Sequence, residues 1–138
     1  MLAILSGAVA SGCGDRDRVG GGTGSEANWS VLTTADENWE VWWRPIPAAI
    51  PALEPFSVEV MVRDAAGRPA NQGVSVVVDA TMPHHGHGMN VTPVVSRKGD
   101  VWLAEGLLLH MPGRWEFTVD VVREGEIERA QWTEELES

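Results

Sequence analysis

A single cysteine in 138 residues rules out an internal disulfide and any cage of several thiolates of the zinc-finger kind. Basic residues are scarce: ten Lys and Arg stand against twenty Asp and Glu, a formal charge of −10. Phosphate backbones need a basic face, so this balance argues against a nucleic-acid partner. The same imbalance makes cations welcome near the surface. No apolar run reaches the ~20 residues that a membrane-spanning helix needs. No serine sits in a nucleophile elbow and no Gly-rich phosphate loop is present. An enzyme is therefore the least expected class. What is present points to a packed globule, with 43% hydrophobic residues and seven tryptophans. The length suits one domain with a modest core.

The chain opens on twelve small and apolar residues that end at Cys13, reading Ala10-Ser11-Gly12-Cys13 at the junction. This resembles the end of a bacterial lipoprotein signal peptide. Ala10 stands where that pattern usually has leucine, and no Lys or Arg precedes the apolar run. The resemblance implies cleavage before Cys13 and acylation of that residue. Residues 1–12 are then a signal peptide, and the mature protein is exported and lipid-anchored, facing the periplasm or the cell surface. From Gly14 to Asn28 the composition turns polar and glycine-rich, which predicts a flexible tether. The folded domain is expected over 29–138.

That domain reads as all-β. Alternating apolar residues predict strands over 39–44, 56–63, 74–80, 91–96, 101–109, 114–123 and 127–133. Gly106 is a candidate bulge. Four prolines between Pro45 and Pro55 deny that stretch to a helix or a central strand. Residues 134–138 read as a frayed tail. About seven antiparallel strands without a convincing helix match an immunoglobulin-like β-sandwich. Its expected core contains Val58, Val60, Val62, Val76, Val78, Trp115, Phe117 and Val119. Trp42 and Trp43 must face opposite ways if they share a strand, which leaves one ring partly exposed.

Chemistry concentrates in two segments. Met82-Pro83-His84-His85-Gly86-His87-Gly88-Met89 carries three of the four histidines, and His110-Met111 carries the fourth. Imidazole and thioether together suit copper, and the soft sulfur favours Cu(I) over Zn(II). No carboxylate lies within the first segment to serve as the general base of a hydrolytic zinc site. Strand parity sends the 82–89 segment, the 110–111 turn and the Pro-rich connection to one end of the sandwich. In extended chain His85, His87 and Met89 share one face, and Met82 and His84 the other. The candidate ligands are thus His85, His87 and Met89, with Met82, His84, His110 and Met111 in reach. The alternative is a structural cap, its imidazoles bonded to backbone and Met111 packed on Trp115.

The 82–89 run, followed by Pro93, Gly99 and Met111-Pro112-Gly113-Arg114-Trp115, resembles the YtkA-like domain family across roughly 39–122. So does the order of a Pro-rich lead, a strand over 56–63, a turn at Gly67 and a strand over 74–80. The resemblance implies a bacterial, exported β-sandwich, often a lipoprotein, and a copper role by analogy. Two functions follow as expectations. One is a copper-binding accessory protein on a membrane. The other is a non-catalytic interaction module whose partner is another exported protein, met through the Pro-rich connection and Trp42 or Trp43.

Overall fold

The computed structural model describes residues 28–138; the expected signal peptide, Cys13 and the expected tether up to residue 27 lie outside the described residues. Among the described residues the regular structure is nearly all β-strand. The elements are β1 (Ser30–Thr33), β2 (Trp39–Ile46), β3 (Phe56–Asp64), β4 (Val74–Met82) and β5 (His87–Gly88). They continue as β6 (Val94–Lys98), β7 (Val101–Leu107), β8 (Gly113–Arg123) and β9 (Glu126–Leu136). One sheet runs β1-β2-β3-β7-β6 and the other β5-β4-β8-β9, with every pairing antiparallel. The fold is a β-sandwich.

Alternation sets the interior. Val58, Val60 and Val62 face Val76 and Val78 of the other sheet, and Trp115, Phe117 and Val119 fill the centre. All eight expected core residues are buried. Trp43 turns inward and stacks on Trp132 at 4.0 Å, while Trp42 lies half-buried on the outer face beneath the Arg63 guanidinium.

Several boundaries differ from expectation, each for a local reason. The described residues hold nine strands rather than about seven, because β1 pairs with β2 and β5 is a two-residue return on β4. Pro45 belongs to β2; β1 stops opposite Trp43, so β2 is an edge strand beyond that point and tolerates proline. The strand expected from Val91 starts at Val94, since Pro93 lacks an N–H and the chain is crossing between sheets there. Gly106 is a bulge: Phe56 opposes Leu107 and Ser57 opposes Glu105, leaving Gly106 the extra residue at φ +83°. Strand β7 ends at Leu107, yet Leu109 is fully buried. The tail is not frayed as far as Leu136, which is buried at the end of a β8–β9 ladder that runs from Arg123 to Gly113.

Candidate metal centre

Strand β4 carries its inward residues Val76, Val78, Ala80 and Met82 straight into the histidine segment. A tight turn follows, in which the Met82 carbonyl accepts from both His85 N and Gly86 N at 3.0 Å. Gly86 sits at φ +67°, a left-handed conformation that glycine adopts without strain, and it reverses the chain. His87 then pairs opposite Met82, and Met89 N donates to the Ala80 carbonyl at 3.2 Å. The turn is thereby pinned to β4 at both ends.

Across the end of the sandwich, the 107–113 connection brings in the second segment. Its conformation is fixed from below, because Leu109 is buried and its carbonyl accepts from Leu53 N at 3.2 Å. That bond also holds the Pro-rich connection at this end, as parity requires. Trp115 Nε1 donates to the Met111 carbonyl at 3.0 Å and sets the height of the turn.

Three imidazoles form a row at this rim. The His85 and His87 ring centres lie 5.7 Å apart, and those of His87 and His110 5.1 Å. Trp115 floors the row, with its ring centre 5.4 Å from His110 and 6.4 Å from His87. Two imidazoles sharing an ion at metal–nitrogen distances near 2 Å have centres roughly 5–6.5 Å apart. The separations therefore suit a shared ion. Among the described residues no group of three or more His, Cys, Asp or Glu is arranged to hold a metal ion. Among the described residues His110 Nδ1 is buried without a hydrogen-bond partner, as is the indole nitrogen of Trp43. A buried imidazole nitrogen without a partner calls for explanation, and a ligand is one. Met89 and Met111 are half-buried against the core.

Two expected ligands are placed elsewhere. Met82 is 1% exposed, and its Cε lies so close to Gly113 that a Cβ there would meet it at 2.9 Å. Its thioether is a core group beneath the turn. His84 is exposed on the outer side, in a recess with Pro83, Arg114, Glu116 and Thr133, apart from the imidazole row. The tally by parity was correct for the segments, and the turn redistributed the individual side chains.

A cleft of about 480 Å³ lies at the other end of the sandwich among Trp39, Asp64, Arg68 and Arg123. There the Arg68 backbone N–H holds the Asp64 carboxyl below its usual range, with further help from the Arg68 side chain. These bonds stabilise a hairpin turn. A second cleft of about 370 Å³ is lined by Leu109, the residue that precedes His110.

A small antiparallel β-sandwich with a His/Met rim is the class that fold and site define. No family model matches the chain, and no curated protein matches it. Among solved structures it is similar to a DUF4426 family protein from Pseudomonas aeruginosa PAO1. The two agree with a TM-score of 0.54 at 13% identity, over 80% of this chain and 96% of that one. At that identity the likeness concerns the fold.

Proposed function

We propose that this protein is an exported, non-catalytic copper-binding accessory protein, anchored to a membrane through lipid on Cys13. One observation carries the metal part. His87 and His110 come from segments more than twenty residues apart, yet their rings lie 5.1 Å apart over Trp115. The buried, unpartnered Nδ1 of His110 supports a ligand between them. The donor set fits copper: His85, His87 and His110 supply imidazole, and Met89 or Met111 supplies sulfur. Such a mixed nitrogen and thioether set favours Cu(I), which accepts two, three or four ligands. In this reading His87 and His110 share the ion, with His85 beside His87 at 5.7 Å; Met82 lies in the core and His84 in a separate recess, so neither belongs to the donor set. The resemblance to YtkA-like domains supports the same exported setting.

A structural cap remains the competing reading, favoured by the edge-on packing of His110 against Trp115 at 83°. Metal content separates the two. Protein expressed with copper and purified without a polyhistidine tag is expected to hold about one copper per chain. Copper and zinc both absent from such protein, and from protein loaded with Cu(I) and desalted, would leave the cap.

A further inference from the structure

Strand β9 alternates Ala130, Trp132, Glu134 and Leu136 toward the interior, so a carboxylate occupies an inward position between two apolar side chains. Glu134 is half-buried there, and burial pushes its carboxyl above the usual glutamate range, against a smaller downward pull from a hydrogen bond with the Trp132 indole. It borders the 370 Å³ cleft between the end of β2, the Pro-rich connection and the end of β9. The cleft has an apolar wall of Trp43, Pro45, Ile50, Leu109 and Leu136. Among the described residues its charged lining is Glu134 and Glu135, with no basic side chain. Trp43 is 6% exposed, and its Nε1–H is a donor without an acceptor.

These features ask for a particular complement. An inward carboxylate met by the Trp132 indole but by no cation among the described residues wants an ammonium group, an orphaned indole N–H wants a carbonyl, and the wall wants aliphatic carbon. Glu134 and Glu135 are consecutive in a strand and point to opposite faces, so they do not chelate a metal ion as a pair. We propose that the cleft binds a primary amine carrying a nearby carbonyl and an aliphatic body, the chemistry of a peptide amino terminus or an amino-acid amide. The ammonium pairs with Glu134, the carbonyl accepts from Trp43 Nε1 after a small turn of the indole, and the aliphatic group lies on Ile50, Leu109 and Leu136. The volume sits at the small end of the range for ligand sites, about 300–1,000 Å³, which suits one or two residues rather than a long peptide.

The proposal does not rest on the metal reading, because the cleft shares no ligand with the imidazole row. The full chain, stripped of metal with a chelator, is titrated with leucinamide while the Trp43 and Trp132 indole N–H resonances are followed. N-acetyl-leucinamide, which keeps the carbonyl and side chain but has no charge, is the comparison ligand. Leucinamide is expected to shift the Trp43 signal saturably, N-acetyl-leucinamide is expected to bind at least tenfold more weakly, and Glu134→Gln to weaken leucinamide by a similar factor. The Gln variant keeps the shape of the wall, and its dispersed spectrum reports that it is folded. No saturable shift with leucinamide, or equal binding of the acetylated compound, or undiminished binding to the Gln variant, would each overturn the proposal.

Discussion

Replacing Gly113 with alanine tests how the base of the candidate metal centre is built. Gly113 opens β8 at φ +122°, in a region essentially closed to residues with a Cβ. Holding alanine there costs about 1–3 kcal/mol in backbone strain. The added Cβ also meets the Met82 methyl at 2.9 Å, closer than ordinary contact. Met82 is flexible at that end but fully buried, so its displacement adds about 1 kcal/mol of overpacking. Together these predict a loss of about 2–4 kcal/mol. Urea denaturation followed by tryptophan fluorescence measures it, as a midpoint lower by about 1–2 M at an unchanged slope. A Met82→Ala background separates the two causes: it relieves the contact and leaves the backbone strain, so the penalty for Gly113→Ala shrinks by about 1 kcal/mol there. A Gly113→Ala protein within 0.5 kcal/mol of the wild type would refute the reasoning.

Cys13→Ala is expected to move the protein from the membrane fraction to a soluble one; continued membrane association of that variant would remove the lipid anchor from the account. Val119 is fully buried between the sheets, and Val119→Ala should cost about 1–3 kcal/mol in transfer energy and cavity, read as a lower denaturation midpoint. Glu134→Gln should stabilise the protein at pH 7. Burial raises the folded-state pKa of Glu134 above its unfolded value, so the penalty is full above the folded pKa and absent below the unfolded one. The advantage of the Gln variant should therefore vanish as pH falls below about 4, the ordinary glutamate range; equal midpoints at both pH values would contradict it.

The interior of the sandwich was legible because alternation is a strong signal where one face is buried. Val58, Val60 and Val62, or Trp115, Phe117 and Val119, could not change register without exposing every one of them. Parity then located the end where both histidine segments meet. It survived the two extra strands because β1 precedes the counted run and β5 merely begins the descent that β6 completes. Individual ligands were less legible. Extended-chain spacing put Met82 with His84, but a four-residue turn intervenes and sends one inward and the other to solvent. His110 gains its place from Leu109, whose burial beneath it is set by the Pro-rich connection and so has no local sequence signal. Glu134 was hidden for a different reason. The acidic 134–137 stretch looks like a solvated tail until Leu136 is seen to be buried, after which alternation from Ala130 turns Glu134 inward.

The central claim is that His87 and His110 together hold one Cu(I). A competition titration against a Cu(I) chelator, run anaerobically on the wild type and on His87→Ala/His110→Ala, addresses it most directly. The near-UV spectrum of the tryptophans reports whether the variant remains folded. The account predicts tight one-to-one binding by the wild type and at least a tenfold loss in the folded variant. Indistinguishable affinities in two folded proteins would contradict it.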